Sequence, residues 1–238
     1  MQFNNQKCSV IHLGHNNPCT EYSLYGSPLK SSEKERDLGV LVDKTFKFSE
    51  QCNVAASRAN SQLGIIKRNI ASRDKSIITK LYKALVRPKL EYCVQAWRPF
   101  LKKDIGKLEQ VQHRATKMIQ ECRGLGYEAR LKITGLASLE DRRVRGDMIE
   151  VYKTITGKNK IDSSKFFKFQ NNNRTRGHSL KLEKGRSRLD IRKNFFSHRV
   201  INNWNALPQE VVDSASVNIF KNKYDKFRSG TEKKLNNQ

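Results

Sequence analysis

Acidic residues are scarce in this chain of 238 residues. It holds 23 Asp and Glu against 47 Lys and Arg, and nowhere do two Asp stand side by side. A two-metal phosphoryl-transfer site needs carboxylates around its ions, because the ions hold the attacking and leaving oxygens in place. The chain therefore has few carboxylates with which to bind a pair of metal ions, and we expect no bound cofactor.

Long apolar runs and paired cysteines are also missing. No run approaches the roughly 20 residues of a bilayer span, and residues 1–10 lack the basic and apolar parts of a secretory signal. The five Cys are an odd number without paired spacing, which disfavours a disulfide scaffold and favours a reducing compartment. We expect an intracellular protein, nuclear or cytoplasmic, with no membrane partner.

Motifs for nucleotide binding and ester hydrolysis are absent too. The sequence has no P-loop, no G-x-G-x-x-G and no G-x-S-x-G, so we expect no small-molecule substrate. Cys8, His12, His15 and Cys19 are four zinc-type ligands spaced C-x3-H-x2-H-x3-C, a spacing that fits no standard finger. A packed strand is favoured over zinc here, and stoichiometric zinc in the purified protein would overturn that interpretation.

Positive charge is what the chain has in excess. The net charge is +24. Residues 51–100 carry 10 basic and 2 acidic side chains and residues 151–200 carry 14 and 3, whereas residues 1–50 carry 6 of each. Solubility of a small domain needs a net charge of only about 2–8. The excess therefore predicts a polyanionic partner, RNA or DNA, held through its phosphates.

Short strands are predicted in residues 1–48. Runs with β-branched or apolar residues lie at 8–13, 22–25 and 38–42, separated by turn residues, and residues 33–37 have the composition of a charged connector. This part of the chain is expected to form a small antiparallel strand segment.

Helical periodicity follows in residues 49–123. Apolar side chains recur at i, i+3, i+4 and i+7 over 52–70, 77–97 and 103–122. Pro88 is expected to end or kink the second helix, because it lacks an N–H and crowds the preceding turn. The short links between these helices predict a helical domain.

Residues 124–238 read as a basic helical region. The spacing predicts a helix start at Ser138, one helix over 191–207, and another over 217–227 before a frayed tail. The polar stretch 158–190 is expected to be flexible. The predicted fold class is therefore α+β, mainly α.

Aromatic residues are few in the second basic zone, residues 151–200. Phe195, Phe196 and Trp204 keep helical spacing, which favours the core over base stacking. The zone therefore has fewer aromatics than a stacking platform for bases needs.

Several short segments of the chain have a specific sequence pattern: residues 81–92 (LYKALVRPKLEY), 94–97 (VQAW), 108–117 (LEQVQHRATK), 176–180 (RGHSL), 192–196 (RKNFF) and 204–208 (WNALP). The first resembles the LYKSLVRPxLEY stretch of the reverse transcriptases of LINE-type, non-LTR retrotransposons, of the jockey and chicken-repeat lineage. The others are similar to later parts of the same reading frames.

The resemblance implies a layout for the chain. Residues 1–48 would end a polymerase palm, residues 49–123 would form the thumb that grips the template–primer duplex, and residues 124–238 would be the C-terminal region. The family's catalytic Asp residues stand in an [FY]-A-D-D motif, upstream of the segment that residues 3–8 resemble. The resemblance thus implies that these Asp residues, and the Mg²⁺ they bind, lie outside this polypeptide, so that it has no polymerase activity alone.

Candidate site residues follow from the resemblance and from the charge. The resemblance places Lys7 near the leaving pyrophosphate, and the turn with Leu38 and Gly39 at the primer end. A helical unit with basic faces holds a duplex by its phosphates without reading bases. Phosphate contacts are predicted at Lys67, Arg68, Arg73, Lys75, Lys80, Lys83, Arg87, Arg174, Arg176, Arg186 and Arg188.

Two alternatives stay open. Any single cation among these can belong to a solvated helix face. The whole chain can also be a domesticated or relic helical protein-interaction module without nucleic-acid activity. The sequence leaves the oligomeric state undetermined.

Overall fold

The protein is mainly helical, with 56% helix and 9% strand, which confirms the predicted fold class. The computed structural model describes residues 3–14, 16–170 and 177–235. The chain divides into two compact units, Met1–Asp141 (unit 1) and Arg142–Gln238 (unit 2). No helix within the described ranges has both the length and the apolarity to cross a bilayer. The domain limits predicted at residues 48 and 123 stay predictions.

Unit 1 begins with short strands in pairs. The second strand pairs antiparallel with the third and the fifth with the sixth, but the first pairs with the fourth in parallel. The purely antiparallel segment predicted for residues 1–48 is therefore wrong, because the long connection between the first and fourth strands lets the chain return in the same direction. The strands are Ser9–Ile11 (β1), Ser23–Leu24 (β2), Ser27–Pro28 (β3), Lys30–Ser32 (β4), Lys34–Asp37 (β5) and Val40–Asp43 (β6).

The hairpin of β5 and β6 overturns another prediction. The charged residues 33–37 are mostly a strand and not a connector, with Lys34 opposite Asp43 and Asp37 opposite Val40. Charged side chains are compatible with a strand whose faces are largely exposed. Val40 alone is buried, and it joins the core of unit 1.

Helices make up the rest of unit 1. The apolar faces predicted at 52–70 and 103–122 are largely buried, and the first and fifth helices pack against each other. The fifth helix ends at Lys117, however, so Ile119 and Cys122 are buried beyond its end and the predicted helix was too long. The helices are Ser49–Asn69 (α1), Lys75–Leu81 (α2), Arg87–Glu91 (α3), Val94–Trp97 (α4), Lys102–Lys117 (α5), Tyr127–Thr134 (α6) and Leu139–Ile155 (α7), the last of which continues into unit 2.

Pro88 does not end its helix. A π-helical segment, Tyr82–Val86, joins α2 to α3, and the Arg87 N–H donates to the carbonyl of Tyr82, five residues back. The wider turn relieves the crowding that a proline ring causes in a regular helix. The helical path therefore continues to Glu91, where the sequence had left an end or a kink as alternatives.

A buried polar network ties α5 to the rest of unit 1. Gln112 is fully buried; its side chain accepts from the hydroxyl of Tyr82 (2.7 Å) and donates to the hydroxyl of Tyr127 (2.8 Å) and the carbonyl of Ala137 (3.0 Å). Glu109 accepts from the hydroxyl of Tyr127 and from the Leu139 N–H at the start of α7 (3.0 Å). Burial raises the pKa of both tyrosines, which keeps their hydroxyls protonated donors.

Unit 2 has a helical core built around Trp204. Three short helices stand where one helix over 191–207 was predicted, and the extended backbone at Phe195 separates the first of them from the second. The final helix is longer than the predicted 217–227 and continues to Leu235, into the tail that was predicted to be frayed. The helices after α7 are Asp190–Asn194 (α8), Phe196–Arg199 (α9), Ile201–Asn205 (α10), Gln209–Val212 (α11) and Val217–Leu235 (α12).

The stretch 158–190 contributes to the packing of unit 2. Phe167, His178 and Leu182 are buried, although residues 171–176 lie outside the described part. The backbone N–H and C=O of Leu182 bond the side chain of Asn205, at 2.9 and 2.8 Å. Nε1 of Trp204 donates to the carbonyl of Leu180 (2.8 Å), and the His178 ring lies 3.0 Å from the carbonyl of Trp204, so residues 177–180 and the WNALP segment meet in one core.

Candidate nucleic-acid interface

The turn between β5 and β6 has an unusual backbone. Leu38 and Gly39 have positive φ angles of 42° and 86°, the pattern of a two-residue type I′ hairpin turn. A leucine seldom adopts this region, because its Cβ crowds the following carbonyl. Leu38 is nevertheless 84% exposed at the tip, so no core packing accounts for it. Backbone strain of this kind clusters at functional sites, but Tyr25 and Gly26 in the turn between β2 and β3 share the pattern, so the case for a site here rests on the side chains around the turn.

Side chains hold this turn in place. Arg36 Nη1 donates to the carbonyl of Gly39 (3.1 Å), and the hydroxyl of Tyr92 donates to the carbonyl of Leu38 (2.9 Å). The carbonyl of Tyr92 in turn accepts from Nε1 of the buried Trp97 (2.6 Å). A chain of hydrogen bonds therefore connects the exposed tip to the helical core of unit 1.

A groove of about 310 Å³ lies between this turn, α1 and α3. Arg58 from α1 and Lys89 from α3 are exposed beside it. None of the described residues that line the groove is acidic. Neither Arg58 nor Lys89 has an ion-pair partner among the residues that the structure describes. The residues lining this hairpin groove are Gly39, Gln51, Val54, Ala55, Arg58, Pro88, Lys89 and Tyr92.

Arg58 and Lys89 were missed by the sequence analysis. Lys89 lies inside the LYKALVRPKLEY segment that carries the family resemblance, but the sequence did not indicate that this lysine contacts a ligand. Arg58 is one basic residue on a predicted helix, with no local signal. Only the packing of α1 and α3 beside Gly39 brings the two cations to the turn that the sequence had singled out.

The side chain of Arg73 caps the C-terminal end of α1. Its guanidinium donates to the carbonyls of Lys67 (3.1 Å), Ser72 (3.1 Å) and Ile70. These carbonyls lie at or just beyond the end of α1, where helix geometry leaves acceptors unsatisfied. The guanidinium is thus engaged by the backbone, which favours a capping role over a phosphate contact.

The surroundings of Arg73 are acidic. A hollow of about 580 Å³ there includes Asp74 and Glu121. Hydrogen bonds from the hydroxyl and N–H of Ser76 hold the pKa of Asp74 below its usual value, and Glu121 pairs with Lys75 at 3.5 Å. Two carboxylates disfavour a phosphate in this hollow.

The other predicted cations are scattered over both units. Arg87 pairs with Glu91 at 3.7 Å. In unit 1, Lys7, Lys67, Arg68, Lys80 and Lys83 are exposed, and none of them lines the hairpin groove. In unit 2, Arg186 and Arg188 are exposed, whereas Arg174 and Arg176 lie outside the described residues.

The potential metal ligands do not gather. Within the described residues, no three His, Cys, Asp or Glu side chains form a group suited to a metal ion. Cys19 is exposed and Cys8 is half-buried near β1, while His15 falls outside the described part.

Comparison with protein-family models, with curated proteins and with solved structures gave no match. The reverse-transcriptase resemblance therefore stays a prediction from those sequence segments.

Proposed function

We propose that this chain binds a template–primer duplex through its phosphates and does not itself polymerise nucleotides. In this proposal unit 1 includes the end of a polymerase palm and the thumb of a LINE-type reverse transcriptase. The observation that carries the proposal is the hairpin groove, where Gly39 lies beside two cations with no carboxylate.

The chemistry of the groove suits a phosphate backbone. Arg58 offers a planar fork of donors that matches a phosphate, and Lys89 adds a point charge. The tip at Leu38 presents backbone and an aliphatic side chain, which carry no base-specific hydrogen-bonding pattern. Binding of this kind is independent of sequence and weakens with salt, because it releases counterions.

The test is the affinity of the full chain for a dye-labelled RNA–DNA hybrid, measured by fluorescence anisotropy. The variant Arg58→Gln/Lys89→Gln removes both groove cations. We expect about tenfold weaker binding, roughly 0.7 kcal/mol for each exposed contact. The matched control Lys102→Gln/Lys103→Gln removes two exposed charges of α5 that do not line the groove. Equal losses in the two variants would contradict a role for the groove.

Two further assays separate the alternatives. Primer extension on an RNA template should give no product, because the chain has no Asp-Asp pair to hold the metal ions. A helical protein-interaction module would instead leave duplex binding undetectable and retain a protein partner after nuclease treatment.

A further inference from the structure

The segment 186–195 of unit 2 combines exposed cations with an exposed aromatic ring. Phe195 is 49% exposed, against the prediction that it belongs to the core. Its extended backbone separates α8 from α9, so Phe196 packs inward on the core cluster while Phe195 stays at the surface. The guanidinium of Arg192 lies over the Phe195 ring, 5.6 Å from its centre.

The Phe195 ring belongs to a segment with more basic than acidic side chains. Arg186, Arg188 and Arg192 are exposed and have no carboxylate partner in the part of unit 2 that the structure describes. The carboxylate of Asp190 is engaged by Lys193 at 3.0 Å. Three arginines of the segment therefore remain available to an anionic ligand.

We infer that this segment is a second nucleic-acid site, specific for single strands. Its cations would contact successive phosphates, and Phe195 with Arg192 would stack on a base. A duplex offers phosphates but keeps its base faces stacked inside, so it cannot use the ring. The inference concerns unit 2 and does not depend on the hairpin groove.

The arrangement of Arg192 and Phe195 argues against a lipid surface as the ligand. Leu189 and Ile191 are also exposed, and apolar residues beside cations are typical of membrane-surface segments. However, inserting the Phe195 ring would draw the guanidinium above it out of water, which is costly for an unpaired charge. Stacking on a base keeps that charge beside phosphates.

The test compares the full chain with two substitutions at one position, using labelled oligo(U) and an RNA–DNA hybrid of equal length. Phe195→Leu keeps an apolar side chain but removes the aromatic face, whereas Phe195→Tyr keeps the face. We expect Phe195→Leu to weaken oligo(U) binding about fivefold or more and to change hybrid binding less than twofold. Phe195→Tyr should stay within twofold of the parent chain for both ligands.

A matched control is Phe3→Leu, which removes an exposed phenylalanine from unit 1. It should leave oligo(U) binding unchanged. Unchanged oligo(U) binding by Phe195→Leu, or equal weakening for both ligands, would overturn the inference. Thermal melting of each variant checks that it is folded. Since the groove variant Arg58→Gln/Lys89→Gln addresses hybrid binding separately, failure of either proposal leaves the other standing.

Discussion

The Gln112 network gives the sharpest stability prediction for unit 1. Replacing Gln112 by Leu keeps the volume but removes the acceptor of the Tyr82 hydroxyl and the donor to the Ala137 carbonyl. Tyr82 is buried, and each buried polar group left without a partner costs about 1–3 kcal/mol. Tyr127 keeps its bond to Glu109. The Tyr82 hydroxyl loses its partner, whereas the Ala137 carbonyl belongs to an exposed residue that water can reach. We therefore expect a loss of roughly 2 kcal/mol in the free energy of unfolding.

Urea denaturation followed by circular dichroism measures this loss. The control Gln110→Leu changes an exposed residue two positions away on the same helix and should cost less than about 0.5 kcal/mol. Adding Tyr82→Phe to Gln112→Leu should recover part of the loss, because the orphaned hydroxyl is gone. A loss below about 1 kcal/mol, or strict additivity of the two substitutions, would refute the network's role.

Other predictions concern the turn and the buried histidine. Gly39→Ala should lower the free energy of unfolding by about 1–2 kcal/mol, because φ is +86° there. The new Cβ would lie 3.5 Å from the Tyr92 ring without a clash, so the loss would come from the backbone conformation. An unchanged denaturation midpoint would contradict this prediction. Tyr92→Phe should cost about 0.5–1.5 kcal/mol through loss of its bond to the Leu38 carbonyl, against no loss for Tyr25→Phe. Burial lowers the pKa of His178, so its stabilising effect is complete above the unfolded value near 6.5 and is lost as the pH falls towards the folded pKa. The melting temperature of unit 2 should therefore drop between about pH 7.5 and pH 5.5, and the drop should be smaller in His178→Gln.

Periodicity predicted the helices of unit 1 well because their apolar faces are continuous. It failed where local geometry interrupts a pattern. The apolar spacing of 191–207 fits one helix, but the extended backbone at Phe195 breaks it. The π-helical segment before Pro88 depends on how Tyr82 and Val86 pack, and no local residue pattern distinguishes it from a kink.

The sequence predicted the turn of the candidate site but not the cations beside it. The turn at Leu38 and Gly39 was found through its family segment, but the cations beside it come from α1 and α3, which are distant in sequence. Charge density pointed instead to Arg73, whose guanidinium is engaged by backbone carbonyls. Counting charges finds basic regions, whereas the fold decides which charges lack an internal partner.

Salt dependence tests the central claim most directly. The full chain is titrated with the labelled RNA–DNA hybrid at several salt concentrations between about 50 and 200 mM. Binding through phosphates predicts that the logarithm of the affinity falls linearly with the logarithm of the salt concentration, with a slope of about −0.9 for each phosphate contacted. An affinity that does not change with salt, or no binding at the lowest salt, would contradict the account.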